Sequence, residues 1–294
     1  MHTLRARWKL MRRHRPRWLL RGSIAALATL LTCVCSEAQQ RKWIFQASGA
    51  GANQAGAQHG LPLHDRWIEF ESEETGDAVK LHALWLGQAQ ADAPVLLYLH
   101  GARWDLGGSV TRMQHLHALG FAVLGIDYRG FGRSTPALPS ERMACEDAHA
   151  AWQWLAQRHP QARRYVYGHS LGGAIAVQLA ADVDDVAGLM VEGTFTSIPE
   201  LFGTLSFGWL PIAPLIKQRF DAGERVAELR APLLVVHGSD DELIHPDLGR
   251  ALYERATVPK RFVLVDGGSH CDTHELGHAQ YCDALRELFG LPIS

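Results

Sequence analysis

YGHSLGG, residues 167–173, is the stretch that decides the fold of this 294-residue chain. A run of strand character precedes it and a helical pattern follows it, so the stretch lies at a sharp turn from strand to helix. Side chains two positions on either side of Ser170 would collide in such a turn, and Gly168 and Gly172 have no Cβ atom. The pattern predicts a nucleophile elbow that exposes the Ser170 hydroxyl, with the Leu171 N–H facing developing negative charge. The alternative is a tight turn without chemistry.

The same alternation of strand and helix runs through the chain. Strand patterns occupy residues 67–71, 79–86, 94–99, 121–126, 164–167, 186–191, 232–236 and 261–265. Helical patterns occupy residues 110–119, 141–158, 171–181, 247–255 and 273–288. Strands that alternate with helices predict an α/β fold with a mainly parallel, eight-stranded sheet and helices on both faces.

An acid and a histidine follow the last two predicted strands. Asp240 and Asp241 come after residues 232–236, and His270 comes after residues 261–265. A serine hydroxyl is a poor nucleophile until an imidazole takes its proton, and that imidazole needs a carboxylate to orient it. We therefore predict a catalytic triad of Ser170, His270 and one of the two aspartates.

A second donor for an oxyanion hole is expected after the third strand, where residues 100–104 read HGARW. Gly101 lets the backbone bend, and the N–H of Ala102 is the predicted donor, with Arg103 as the fallback. His100 is interpreted as a structural hydrogen-bonding residue. The loop DYRGFGRS, residues 127–134, is expected to shape the region rather than to contact substrate.

An apolar insertion interrupts the alternation at about residues 194–230. As a lid, it would line a pocket for an acyl chain. The substrate-binding side chains predicted in it are Phe202, Leu205, Phe207, Trp209 and Leu210. The alternative is that these side chains pack on the sheet or rest on a membrane surface.

Charge is distributed unevenly along the chain. The first 35 residues hold eight Arg or Lys and no Asp or Glu, and an uncharged stretch covers residues 22–35. This pattern predicts a signal peptide or membrane anchor over residues 1–38, with cleavage before Gln39 as one outcome, and hence export. Residues 39–62 are expected to form an irregular lead-in or tether, and residues 63–294 the catalytic domain. The acidic balance of the body argues against nucleic acid as a partner.

A metal-binding pattern and a cysteine pair complete the candidates. Residues 274–278 read HELGH, which matches a zinc-protease helix, but a third protein ligand would be hard to supply from the same helix. We therefore expect neither a metal nor another cofactor. Cys271 and Cys282 are close enough in sequence to form a disulfide after export, although two free thiols are equally compatible with the pattern.

Five motifs in this order, HGA, DYRGFGRS, GHSLGG, HGSDDELIHP and GGSH, resemble the α/β-hydrolase superfamily. They are most similar to its exported or membrane-tethered serine esterase and acyl-thioesterase branch, over roughly residues 39–290. The resemblance implies that the acid is Asp241. It also implies a small-molecule or lipid-like acyl substrate, cleaved as an ester or thioester. A serine peptidase and a tethered binding protein of the same fold are the alternatives, and the sequence leaves the oligomeric state open.

Overall fold

A single eight-stranded sheet forms the centre of the computed structural model, which describes residues 36–47, 62–90, 92–205 and 208–292. The strands are β1 (His64–Glu71), β2 (Ala78–Leu86), β3 (Val95–Leu99), β4 (Ala122–Ile126), β5 (Arg164–His169), β6 (Gly188–Glu192), β7 (Leu233–Gly238) and β8 (Lys260–Val265). Their order in the sheet is β1-β2-β4-β3-β5-β6-β7-β8. β2 pairs antiparallel with β1 and β4, and all other pairs are parallel. The predicted fold class is confirmed.

Helices cover both faces of the sheet. They are α1 (Glu37–Phe45), α2 (Val110–Ala118), α3 (Glu141–Arg158), α4 (Leu171–Asp182), α5 (Ile198–Thr204), α6 (Ala222–Arg225), α7 (Pro246–Arg255), α8 (Thr273–Leu276) and α9 (His278–Phe289). One apolar cluster, with Phe45, Trp152 and Ile175, lies on one face, and a second, with Met113 and Tyr281, lies on the other. Because every residue of β3, β4 and β6 is buried, these strands read as short continuous apolar runs.

Two local predictions are wrong. Residues 39–45, expected to be irregular, belong to helix α1, whose Gln40 and Phe45 are buried by contacts with distant parts of the chain. The helix expected over residues 273–288 is instead two helices that meet at Gly277, where the backbone leaves the helical conformation with φ −86° and ψ 9°, and a Cβ atom at Gly277 would lie 2.6 Å from Val265 Cγ2.

The predicted leader lies almost entirely in residues 1–35, outside the described residues. The predicted cleavage site before Gln39 lies within the first turn of α1. In the part of the chain that the structure describes, no helix has the length and apolar character needed to cross a membrane.

Candidate active site

Ser170 lies at the turn between β5 and α4, where the backbone is held in an unusual conformation. Its φ of 56° and ψ of −123° are rarely adopted by residues other than glycine. The Ser170 N–H donates to the Glu192 carbonyl at 2.9 Å, and the Thr194 hydroxyl donates to the Ser170 carbonyl at 2.9 Å. These two bonds to the end of β6 hold the turn, and the Leu171 N–H begins α4 beside the serine.

The elbow glycines are required by close backbone approaches. A Cβ atom at Gly168 would lie 2.2 Å from the Gly172 carbonyl oxygen, and one at Gly172 would lie 2.2 Å from the Leu99 carbonyl oxygen. Both separations are far below van der Waals contact, and neither partner is a flexible side chain. The sequence interpretation of these two positions agrees with the structure.

Gly172→Ala is therefore expected to lower the free energy of unfolding by about 3 kcal/mol, because the methyl group overpacks a rigid backbone contact. Urea denaturation of the variant and of the wild type measures the difference. Gly203→Ala is the matched control, since a Cβ atom at Gly203 in α5 meets nothing within 4 Å. Equal stability of the two variants would contradict the steric role of Gly172.

Asp241 and His270 form a hydrogen-bonded pair at the ends of β7 and β8. The His270 Nδ1–H donates to Asp241 Oδ2 at 2.7 Å. The other carboxylate oxygen of Asp241 accepts the N–H groups of Leu243 and Ile244 at 3.0 and 2.8 Å. The structure thus brings Asp241, rather than Asp240, to the histidine: Asp240 is exposed and its carboxylate accepts the Ser239 hydroxyl.

The carboxylate of Asp241 stays ionised although it is only 3% exposed. Burial by itself raises its pKa, but hydrogen bonds from His237, His270 and the Ile244 N–H outweigh burial, and the pKa lies well below its ordinary value. An ionised carboxylate at Nδ1 favours the tautomer in which Nε2 is the nitrogen able to accept a proton, as a candidate general base requires.

Ser170 and His270 line the same cavity. Small residues make room for them: a Cβ atom at Gly101 would lie 3.0 Å from Ser170 Cβ, and one at Gly193 would lie 3.2 Å from His270 Nδ1. The loop after β3 and the loop after β6 therefore pack directly on the two residues.

The oxyanion loop, residues 100–104, has one N–H that is already engaged. The Arg103 N–H donates to the Phe45 carbonyl at 2.9 Å, so Arg103, the fallback donor, is not available to substrate. Ala102 remains the candidate donor, and it lines both cavities next to Ser170. His100 is buried, its Nδ1–H donates to the Gly101 carbonyl at 2.7 Å, and burial lowers its pKa. Its neutral imidazole holds the loop.

The loop at residues 127–134 is held by hydrogen bonds of its own. Asp127 accepts the Leu106 N–H at 2.8 Å and lies 3.0 Å from His82 Nδ1, and the Ser134 hydroxyl donates to the Asp127 carbonyl at 2.6 Å. These contacts agree with the expected role in shaping the loop.

An apolar cavity of about 350 Å³ opens beside Ser170. Phe202 and Leu205 line it, as predicted for the lid. Trp209 and Leu210 do not, because α5 ends at Thr204, the chain turns, and Trp209 is 78% exposed. Phe207 lies outside the described residues. The lining residues that the sequence analysis missed are Gln40, Trp43, Ile44, Gln46, Phe195, Ile198, Leu201, Ile212, Ile216, Leu243 and Ile244.

A second cavity of about 290 Å³ lies beside Ser170 and is lined by more polar groups. Its lining includes Arg112, His169, His274, Glu275 and Trp104. The two cavities share Ala102, Arg103, Ser170 and Leu243, so Ser170, the candidate nucleophile, lies where they meet.

Buried polar groups bind the backbone of the loop that carries His270. Arg112 donates to the Cys271 carbonyl at 3.0 Å and to Glu192 Oε1 at 3.0 Å, and the Tyr281 hydroxyl donates to Glu192 Oε2. The His270 carbonyl lies 3.0 Å from His169 Nε2. No motif singles out Arg112 or Glu192, because their role depends on contacts about 80 positions apart in sequence.

The histidines of the HELGH pattern lie on different helices. His274 is in α8 and buried, which lowers its pKa to about 4, and His278 begins α9. The ring of His115 lies 5.5 Å from that of His274 and 5.2 Å from that of His278. Within the described ranges, no three His, Cys, Asp or Glu side chains are grouped to hold a metal ion. Cys271 and Cys282 are both free thiols, the first exposed and the second buried.

Comparison with known proteins gives a family match and close sequence relatives. The model of the family Hydrolase_4, serine aminopeptidase S33, matches residues 90–220 and 212–277. An uncharacterized protein of Mycobacterium tuberculosis (strain H37Rv) is 35% identical over 218 residues, 73% of this chain and 76% of that protein. The lysophosphatidylserine lipase ABHD12 of Danio rerio is 34% identical over 224 residues, 70% of this chain. The matched region spans 56% of that lipase.

Solved structures show the same fold at low sequence identity. The Pyrococcus furiosus esterase Pf2001 has a TM-score of 0.67 at 18% identity, covering 83% of this chain and 97% of the esterase. Est1E from Butyrivibrio proteoclasticus with bound ferulic acid has a TM-score of 0.64 at 20% identity, covering 77% of this chain and all of Est1E. The chain therefore has the α/β-hydrolase fold and belongs to the serine aminopeptidase S33 family of hydrolases.

Proposed function

We propose that the protein is a serine hydrolase that cleaves esters or thioesters of apolar acyl groups through Ser170, His270 and Asp241. The observation that carries the proposal is the apolar cavity beside Ser170, combined with the hydrogen bond between Asp241 and His270. The cavity supplies binding free energy to an acyl chain, and the paired imidazole supplies a base.

The reaction follows from these positions. His270 Nε2 takes the Ser170 proton as the serine oxygen attacks the carbonyl carbon, and the N–H groups of Leu171 and Ala102 stabilise the oxyanion. The protonated imidazole then gives its proton to the leaving alcohol or thiol, which departs through the second cavity. Water, activated by the same imidazole, hydrolyses the acyl-enzyme and regenerates Ser170.

The lining of the apolar cavity favours an acyl group over the N-terminus of a peptide. Its described lining residues include Arg103 but no Asp or Glu to pair with an α-ammonium group. The polar second cavity is suited to a polar leaving group. Lysophosphatidylserine, the substrate in the name of the zebrafish relative, is accordingly the first natural ester to assay.

Hydrolysis of p-nitrophenyl esters from acetyl to palmitoyl, with fluorophosphonate labelling of the same samples, tests the proposal. We expect labelling of the folded protein and turnover that rises with chain length until the cavity is filled. Labelling with turnover of peptide substrates only would favour the serine peptidase. A folded protein that is neither labelled nor active would favour a binding protein.

Phe202→Ala is expected to lower kcat/KM about 30-fold for the preferred long-chain ester, because burial of a Phe side chain stabilises by about 2 kcal/mol and each 1.4 kcal/mol is about tenfold in rate. The acetyl ester, which does not reach the lid, should change little. Trp209→Ala is the matched control on the same insertion, since Trp209 points to solvent. A shift in chain-length preference with Trp209→Ala and none with Phe202→Ala would contradict this arrangement of the lid.

Export remains part of the proposal. The basic, acid-free first 35 residues and the uncharged stretch at residues 22–35 support an export signal or membrane anchor that places the catalytic domain outside the cytoplasm. Fusion of residues 1–47 to an alkaline phosphatase that is active only after export should give activity. An inactive fusion that accumulates in the cytoplasm would overturn the assignment.

A further inference from the structure

Helix α1 contacts two parts of the site that are far from it in sequence. The Phe45 carbonyl accepts the Arg103 N–H of the oxyanion loop at 2.9 Å. The Gln40 side chain donates to the Leu215 carbonyl at 2.8 Å and accepts the Lys217 N–H at 2.8 Å. Ile216, which lies between Leu215 and Lys217, lines the apolar cavity, and so do Trp43 and Ile44 of the helix itself.

The position of the Phe45 carbonyl is determined by aromatic packing. The Phe45 ring is 1% exposed and makes edge contacts with Phe131 at 6.3 Å and Phe220 at 5.8 Å between centroids. Phe131 in turn packs against the ring of His100, at the start of the oxyanion loop, at 5.0 Å. Helix α1 thus contacts the loop through one hydrogen bond and through one line of aromatic rings.

The hydrogen bond of the Arg103 N–H is important because the preceding N–H in the loop, that of Ala102, is the candidate oxyanion donor. Arg103 has a φ of 79°, a left-handed conformation that a residue with a side chain adopts at a cost. The hydrogen bond to Phe45 stabilises that conformation and fixes the Ala102–Arg103 peptide plane. The loop passes directly over the nucleophile, since a Cβ atom at Gly101 would lie 3.0 Å from Ser170 Cβ.

We propose that α1 is a positioning element of the active site: Phe45 holds the oxyanion loop so that the Ala102 N–H points at the reacting carbonyl, and Gln40 holds the cavity wall at residues 215–217. The inference rests on the proposed function and extends it to a segment that precedes the α/β sheet. Phe45 acts through Arg103 and touches no substrate. Its replacement should therefore affect the transition state more than the bound substrate.

The test uses the full-length protein with Phe45→Leu, Phe45→Ala and, as the matched control on the same helix, Lys42→Ala, whose side chain is exposed. Fluorophosphonate titration counts the correctly folded sites, so kcat is expressed per active site. Loss of an oxyanion donor costs about 10²- to 10³-fold in kcat, so displacement of one by Phe45→Leu should cost about tenfold and Phe45→Ala more. Lys42→Ala should match the wild type.

Inhibition by an alkylboronic acid separates positioning from general structural damage. The boronate adduct on Ser170 places a negatively charged oxygen in the oxyanion hole, so its Ki should rise by the same factor as kcat/KM falls. KM and the affinity for the fatty-acid product should stay unchanged. Gln40→Ala should instead raise KM for long-chain esters and leave the Ki of a short boronate unchanged.

The outcomes are distinguishable. Unchanged kcat per active site and unchanged boronate affinity in both Phe45 variants, with an active wild type, would reject the positioning role and leave the proposed function intact. A lower count of active sites with normal kcat per site would also reject the positioning role. A wild type that neither hydrolyses esters nor binds the boronate would reject both proposals.

Discussion

Ser170→Ala is expected to lower kcat for the preferred p-nitrophenyl ester by about 10⁶-fold, to the level left by binding and the oxyanion hole alone. In the proposed mechanism the hydroxyl oxygen of Ser170 attacks the carbonyl carbon, and alanine offers no substitute for it. The variant should remain folded, because the Ser170 backbone bonds to Glu192 and Thr194 do not involve its side chain. Stopped assays at high enzyme concentration, with circular dichroism for the fold, measure the effect.

The control for contamination is loss of fluorophosphonate labelling in the same preparation. Cys271 is an exposed thiol in the loop that carries His270, so Cys271→Ser should be assayed in parallel and should keep full activity. If Ser170→Ala kept more than about 1% of the wild-type turnover, and the double variant with Cys271→Ser lost it, Ser170 would not be the nucleophile.

Asp241→Asn is expected to lower kcat by about 10⁴-fold, while Asp240→Asn leaves it unchanged. The carboxylate of Asp241 accepts the His270 Nδ1–H, whereas an amide could present its NH₂ group there and favour the tautomer with the proton on Nε2. That tautomer cannot take the serine proton. The adjacent Asp240 is a matched control because it differs in position by one residue and is exposed.

The pH dependence of stability gives a second measurement on Asp241. Its folded-state pKa lies below the ordinary value, so its ionised form stabilises the fold above that ordinary value. This stabilisation is lost as the pH falls below the ordinary pKa of an aspartate. Asp241→Asn should therefore remove that contribution to the pH dependence of the free energy of unfolding. If Asp240→Asn lost activity and Asp241→Asn kept it, the acid of the triad would be Asp240.

Local patterns were sufficient for the sheet and for the order of the candidate triad. Strands β3, β4 and β6 are buried on both faces, so their apolar runs are visible without knowledge of their neighbours. The elbow was readable because the steric requirement at Gly168 involves residues next to Ser170 in sequence, whereas Gly172 also meets the backbone of Leu99 at the end of β3. The choice between Asp240 and Asp241 needed the family resemblance, because both follow the same strand.

Other parts of the site depend on contacts between segments that the sequence does not mark as partners. The lid was recognised by composition, but composition could not show that Trp209 faces solvent while Ile198 and Ile216 line the cavity. The direction of these side chains is set by an irregular path of the chain after α5, which no periodic pattern reports. Likewise, HELGH is compatible with one helix in sequence, but the backbone at Gly277 divides it between α8 and α9.

The sequence by itself therefore determined the α/β-hydrolase fold, the tight turn from strand to helix at Ser170 and the positions of the candidate acids and of the candidate base after β7 and β8. Only the tertiary structure decided that residues 37–45 form a helix at the site and that the Arg103 N–H donates to the Phe45 carbonyl. It also decided that Arg112 binds the loop of His270. The physical reason is range. An apolar run and the spacing of glycines around a serine are local patterns that can be read along the chain, whereas a buried hydrogen bond between distant residues forms only after the sheet has brought its ends together.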